Sequence, residues 1–263
     1  MATPPTTNPP APRTQRIFFV EGNIGSGKTT FLKELMKAYP DMCQVIYEPL
    51  DEWRSVVDAN GENILDHFYR DMSKTAYTFQ SLAFLTRARS LESIDPTVPF
   101  VFVERSVFSD MEVFAKNCVA NGAMSSIEWA VYTKWFDWMV QKLPLENASH
   151  IYLRCAPDIS LQRLHHRNRE EENSIAADYI RALHERHEHW LCGGDRAVVR
   201  NEDEDATGRS TPVGMLSSSS LPVIVLDATA DFRSTSCRDE TDRSGVRSMA
   251  SQIDATFARN HFV

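Results

Sequence analysis

Lys28 and Thr29 close the run Gly22, Asn23, Ile24, Gly25, Ser26, Gly27, which fits the pattern G-x-x-x-x-G-K-[ST]. Glycines let backbone N–H groups converge on phosphate oxygens. The lysine carries charge to the β- and γ-phosphates, and the threonine offers a hydroxyl to Mg²⁺. A glycine turn alone could match by chance, but here the apolar stretch Ile17 to Val20 leads in. After Thr30, Phe31, Leu32, Leu35, Met36 and Tyr39 follow at helical spacing. A helix entered this way turns its positive end toward an anion, so the segment is expected to bind nucleotide phosphates.

Further apolar stretches run from Cys43 to Tyr47, Phe100 to Val103, His150 to Leu153 and Val223 to Leu226, with helical stretches between them. Strand alternating with helix implies an α/β fold with a parallel sheet covered on both faces. Ligands in such sheets bind beyond the carboxyl ends of the strands. The residues there are Glu48 and Trp53 after the second strand, and Glu104, Arg105, Ser106 and Asp110 after the third. One charge at a strand end is ordinary surface. Two carboxylates and an arginine on the phosphate-binding edge point instead to a catalytic site. Between them a long helix carries Gln80, Ala83, Phe84 and Arg87 on one stripe, suited to a planar polar ligand held against aromatic walls. Arg163, Arg167 and Arg169 precede Glu170, Glu171 and Glu172, and read as a lid that meets transferring phosphoryl groups. His184, His187 and His189 lack a carboxylate or cysteine in matching register for a metal, and are read as helix surface or subunit contact.

The 263 residues, 42% hydrophobic, suffice for one α/β domain over 15–263. Met1 to Thr14, with five prolines from Pro4 to Pro12, is expected to be a disordered tail. Gly193 to Ser220 combines Glu202, Asp203, Glu204 and Asp205 with a serine run, and is read as a flexible acidic, Ser-rich surface insertion. A net charge of −8 argues against nucleic acid as a partner, since that affinity comes from basic residues on phosphates. No apolar run is long enough for a membrane span, and no secretory signal is apparent. Cys43, Cys118, Cys155, Cys192 and Cys237 are widely spaced and read as free thiols of a reducing compartment. The cytoplasm is expected, with mitochondria, or the host cytoplasm for a viral chain, left open.

Taken in order, the blocks of this chain resemble the deoxynucleoside kinases of the deoxycytidine, deoxyguanosine and insect multisubstrate type. The resemblance rests on the phosphate loop and on E-P-x-x-x-W at Glu48 to Trp53. It extends to N-[IV]-L-x-x-x-Y at Asn63 to Tyr69, to Phe79 and Gln80, and to E-R-S at Glu104 to Ser106. Two later blocks are R-x-x-x-R-x-R-x-E-E ending at Glu172 and L-H-x-x-H-E-x-W-L at Leu183 to Leu191. It implies a P-loop kinase fold with a five-stranded parallel sheet, and transfer of the γ-phosphoryl group of ATP or another triphosphate to a deoxynucleoside 5′-hydroxyl, with Mg²⁺. It also implies a homodimer built on the helices starting near Ser106 and ending near Leu191.

By the same resemblance Glu48 is the general base, Arg105 holds it and the transferring group, and Glu104 binds Mg²⁺ with Thr29. Arg163, Arg167 and Arg169 meet the phosphoryl oxygens, while Tyr69 and Glu172 hold the sugar 3′-hydroxyl. Gln80 pairs with the base inside walls of Leu50, Trp53, Phe68, Phe79 and Phe114. Ala83, Arg87 and Asp110 face its exocyclic edge, which implies deoxycytidine, deoxyadenosine or deoxyguanosine over thymidine. Phe68 departs from the smaller residue expected of a deoxycytidine enzyme, so a broader or thymidine-accepting enzyme is the alternative. Asp227 and Phe232 lie where the donor's base would be received, or simply form a turn before a helix. A nucleoside monophosphate kinase would need a basic group where Glu48 and Trp53 stand. A catalytically silent assembly subunit would have no need of Lys28, Glu48, Arg105 and the lid arginines together.

Overall fold

Runs rich in Phe, Val and Ile suit strands buried on both faces, and they form the centre of this molecule. The computed structural model describes residues 15–172, 175–193, 198–199 and 221–229. Strand β1 (Arg16–Glu21) enters the phosphate loop and helix α1 (Lys28–Ala38), followed by β2 (Cys43–Ile46). Helices α2 (Leu50–Ser55), α3 (Ile64–Arg70) and α4 (Met72–Ser90) lead to β3 (Phe100–Glu104). Beyond it, α5 (Val107–Ser109), a π-helical turn (Asp110–Ala115) and α6 (Lys116–Ala120) run on as one bulged helix. Helix α7 (Ser126–Val140), β4 (Ala148–Arg154), α8 (Pro157–Arg167) and α9 (Ala177–Cys192) precede β5 (Val198–Val199) and β6 (Val223–Asp227).

The strands order as β2-β3-β1-β4-β6-β5, and every pairing is parallel. The five expected strands are all present, each within two residues of its expected ends. The sixth, β5, is a two-residue edge strand inside the stretch read from composition as an insertion. Alternate residues of the strands feed two cores. Phe19, Val101 and Val103 pack with α3, α4 and α9 on one face, while Phe18, Phe102 and Leu153 pack on Phe31, Leu32 and Leu35 of α1 on the other. Met1 to Thr14, most of 193–220, Phe232 and Cys237 lie outside the described residues. Cys43, Cys118, Cys155 and Cys192 are free thiols.

One expectation needs correction. His187 is not on the surface. It is wholly buried, hydrogen-bonds the Leu183 carbonyl through Nδ1 at 2.7 Å and stacks on Tyr152, and burial pushes its ring down to about 3, so it stays neutral. The helices starting near Ser106 and ending near Leu191 also contribute residues to the core. Val107 and Phe108 of α5 are buried, as are Leu183 and Leu191 of α9. The exposed apolar stripe lies on α7, where Ile127, Val131, Trp135 and Trp138 recur along one face.

Gly25 shows how closely the phosphate loop is packed. Its φ is +79°, and a Cβ built there would lie 2.2 Å from the Ser160 carbonyl oxygen of α8. The left-handed backbone alone costs a non-glycine residue about 1–2 kcal/mol, and the backbone clash adds to it. Gly25→Ala is expected to lower the thermal midpoint and abolish nucleotide binding, as read by calorimetry. An unchanged midpoint with intact binding would show that the loop has room the structure does not contain.

Candidate active site

Because β1, β2 and β3 run parallel with Val20 opposite Glu104, the segments leaving them emerge together at one edge. They line a cleft of about 260 Å³. At one end lies the phosphate loop. Ile24, Gly25, Gly27, Lys28, Thr29 and Thr30 face the cleft, while Gly22, Asn23 and Ser26 form the layer behind. Asn23 braces that layer, since Nδ2 donates to the Ile180 carbonyl of α9 at 2.8 Å and Oδ1 accepts from the Ile24 N–H at 2.9 Å. Helix α1 begins on left-handed Gly27 with no side-chain cap, which leaves its first N–H groups for an anion. Lys28 donates to the Gly22 and Asn23 carbonyls at 3.2 and 2.9 Å. Burial, aided by Arg105, pushes its ammonium down to about 7 against the pull of Glu104 and Glu48. The Thr29 hydroxyl donates to Glu104 Oε1 at 2.7 Å.

Glu48 stands in the middle of the cleft. Arg87 bonds it directly, and Arg105 Nε lies 3.3 Å from the same oxygen. Burial pushes the Glu48 carboxyl up, but Arg87, Arg105 and Lys28 outweigh it and hold the group below the ordinary carboxylate range. Arg87 also bonds Asp110, so one buried guanidinium joins the two carboxylates. Each arginine lies over a ring, Arg87 on Trp53 at 5.1 Å and Arg105 on Phe114 at 4.8 Å. The π-helical turn opens at Asp110 and carries Phe114, so the bulge in that helix supplies two cleft residues.

The far end is an apolar slot. Trp53 and Phe68 pack on Phe79 with ring centroids 5.3 and 4.7 Å apart, and Leu50, Ala83 and Phe114 complete the walls. Gln80 faces this slot almost wholly buried, and its Oε1 has no partner among the described residues, an arrangement that asks for a ligand donor. Tyr69 and Glu172 meet at the mouth, with Arg167 Nη2 and Arg169 Nη1 on Glu172 at 2.5 and 3.3 Å. Arg167 and Arg169 thus rest on a carboxylate of their own segment.

Arg163 is turned away from the cleft. It donates to the Ala228 and Thr229 carbonyls at 2.8 and 3.0 Å and reaches the Ser26 carbonyl at 3.4 Å. It therefore ties the segment after β6 to the back of the phosphate loop. Asp227, also outside the cleft, closes a turn by accepting from the Thr229 N–H at 2.8 Å. The sequence reading passed over several lining residues. Tyr179 packs edge-on to Tyr69, and Arg54 bonds Glu171 across the mouth at 2.6 Å. Leu65 is the leucine of the N-[IV]-L block, and Lys33 lies on α1.

A cationic cradle, a central charged carboxylate and an aromatic slot with a lone amide oxygen together suit phosphoryl transfer to a hydroxyl of a planar, base-bearing molecule. The comparisons with known proteins agree. Residues 18–248 match the family model described as deoxynucleoside kinase. A probable deoxycytidine kinase of fowlpox virus is 32% identical over 91% of this chain and 90% of its own length. Mouse deoxycytidine kinase is 34% identical over 89% of this chain and 94% of its own. The mitochondrial thymidine kinase 2 of Macaca fascicularis is 36% identical over 68% of this chain and 65% of its own.

The low Lys28 value carries a prediction. Triphosphate oxygens favour the ammonium, so a lysine that is largely neutral above about pH 7 when free becomes protonated when occupied. Calorimetric titration of ATP at pH 8 in buffers of different ionisation enthalpy is expected to detect proton uptake that fades below pH 7. Uptake absent at both pH values would mean that Lys28 is charged before the nucleotide arrives.

Proposed function

The chain belongs to the deoxynucleoside kinase family and is a deoxynucleoside kinase, and we propose that it transfers the γ-phosphoryl group of ATP, or of another nucleoside triphosphate, to the 5′-hydroxyl of a deoxyribonucleoside. The observation that carries this reading is Glu48, a carboxylate kept charged by two arginines in a cleft it shares with Lys28. Glu48 takes the proton of the 5′-hydroxyl as that oxygen bonds to the γ-phosphorus and the bond to the leaving diphosphate breaks. Arg105 keeps Glu48 ionised and, with Lys28, meets charge on the transferring oxygens. When the sugar 3′-hydroxyl engages Glu172 and Tyr69, Arg167 and Arg169 are released toward the phosphates. Arg163 acts on the donor side by fixing the segment around Asp227.

Thr29 Oγ1 and Glu104 Oε1 are adjacent hard oxygen donors on the cleft wall, a set that fits Mg²⁺. These two residues would hold the ion, which supplies charge neutralisation at the β- and γ-oxygens.

Gln80 reads the nucleobase in the aromatic slot, and the Arg87–Asp110 pair faces its exocyclic edge. That pair offers a donor and an acceptor and leaves little space for the thymine methyl, which supports a preference for deoxycytidine, deoxyadenosine or deoxyguanosine. The similarity to proteins named deoxycytidine kinase supports the same choice. The α7 face supports a homodimer, because Ile127, Trp135 and Trp138 are more than half exposed and would be covered by a second copy.

Glu48→Gln is expected to lower kcat by about 10²–10⁴-fold, and Arg105→Ala by about 10³-fold or more, with the fold intact by circular dichroism. Full activity in either variant would remove that residue from the mechanism. In a radiolabelled panel of the four deoxynucleosides with ATP and Mg²⁺, thymidine is expected to show the lowest kcat/KM. Thymidine above the other three would favour the broader, thymidine-accepting enzyme. Trp135→Glu is expected to convert a dimer to a monomer in light scattering, and a wild-type monomer would contradict the α7 contact.

A further inference from the structure

Glu21 ends β1 immediately before the phosphate loop, yet it does not line the cleft and no step above uses it. It is wholly buried, so its charge must be matched inside the fold. The match comes from the turn after β3. Glu21 Oε1 accepts from the Ser106 backbone N–H at 2.9 Å and from the Ser106 hydroxyl at 2.5 Å. The same hydroxyl oxygen accepts from the N–H groups of Phe108 and Ser109 at 3.2 and 3.3 Å, which caps α5. From β4, His150 brings Nδ1 to 3.6 Å from Glu21 Oε1.

Arg105 lies between these fixed points. Its φ is +64°, a left-handed conformation costing an ordinary residue about 1–2 kcal/mol. Its own N–H bonds the Val20 carbonyl at 3.0 Å, one residue before Glu21. The parallel register explains the meeting, because Val20 opposes Glu104 and the next residues along each strand fall side by side. Only this bend carries the Arg105 guanidinium back over Phe114 to Glu48. An extended backbone at Arg105 would aim the side chain elsewhere.

We infer that Glu21 is a positioning residue which, through Ser106, locks Arg105 in its left-handed turn and thereby aims the guanidinium at Glu48. The inference rests on the catalytic reading of Glu48 and Arg105 given above. It gives a function to the serine of the E-R-S block and to the glutamate preceding the phosphate loop, neither of which touches substrate.

The test compares Ser106→Ala and Glu21→Gln with Glu48→Gln in the full chain, using deoxycytidine and ATP. Ser106→Ala keeps Glu21 and its backbone bond, so it decides the matter even where Glu21→Gln fails to fold. Each folded variant is expected to lose about tenfold in kcat, the size of one hydrogen bond to a charged group. The deoxycytidine KM stays within about twofold, since the slot is untouched. The acid limb of the pH–kcat profile moves to higher pH, because a displaced Arg105 no longer depresses Glu48. A merely structural role would lower the thermal midpoint without moving that limb. Unchanged kcat and an unmoved limb in folded Ser106→Ala, or a raised KM with kcat intact, would overturn the inference. The two readings fail separately. An active Glu48→Gln removes the general base, whereas an inactive Glu48→Gln beside an unimpaired Ser106→Ala removes the clamp. Loss of kcat together with a raised acid limb in Ser106→Ala, beside an inactive Glu48→Gln, supports the clamp.

Discussion

A buried cleft must hold Lys28, Arg87 and Arg105 beside Glu48, Glu104 and Asp110. Removing such groups from water costs several kcal/mol each, and only close opposite charges offset it. The structure meets this constraint by sharing. Arg87 serves Glu48 and Asp110 together, and Arg105 serves Glu48 from the other side. Lys28 stays on its own loop's carbonyls with an ammonium pushed down to about 7, and Arg167 and Arg169 rest on Glu172.

The scaffold makes that density of charge possible. A parallel sheet buried on both faces supplies rigid strand ends, and Glu48, Glu104 and Arg105 are set at or just beyond those ends. The second layer matters as much as the first. Asn23 pins the phosphate loop to α9, Arg163 pins the segment after β6 to the same loop, and Ser106 joins the bend at Arg105 to β1. One helix, α4, carries both Gln80 in the slot and Arg87 on Glu48.

Much of this was legible in the sequence because it was local or periodic. The phosphate loop is a contiguous pattern between a strand and a helix. Glu48 and Arg105 stand at the ends of apolar runs. Gln80 and Arg87, seven residues apart, share a helical stripe, and all four now line one cleft. The rest depends on contacts distant in the chain. Arg163 reads as a lid residue until the carbonyls of Ala228 and Thr229 are brought beside it. His187 reads as surface because a charged-looking helix hides how deeply α9 packs against β4. The π-helical turn that sets Asp110 and Phe114 has no local signature, and neither does the left-handed bend at Arg105. Strand β5 escaped notice because its flanks have the composition of a loop. The exposure of the α7 stripe is not legible either, since periodicity finds an apolar face without telling what covers it.

The central claim is that Glu48 is ionised by its arginines and acts as the base. Single-turnover phosphoryl transfer at saturating ATP and deoxynucleoside, followed from about pH 4 to pH 8, tests it most directly. The account predicts a rate whose half-maximal point on the acid side lies below about 4.5, the ordinary range of a glutamate. A rate already halved near pH 6 would contradict it, since a carboxylate held down by Arg87 and Arg105 cannot take up its proton there.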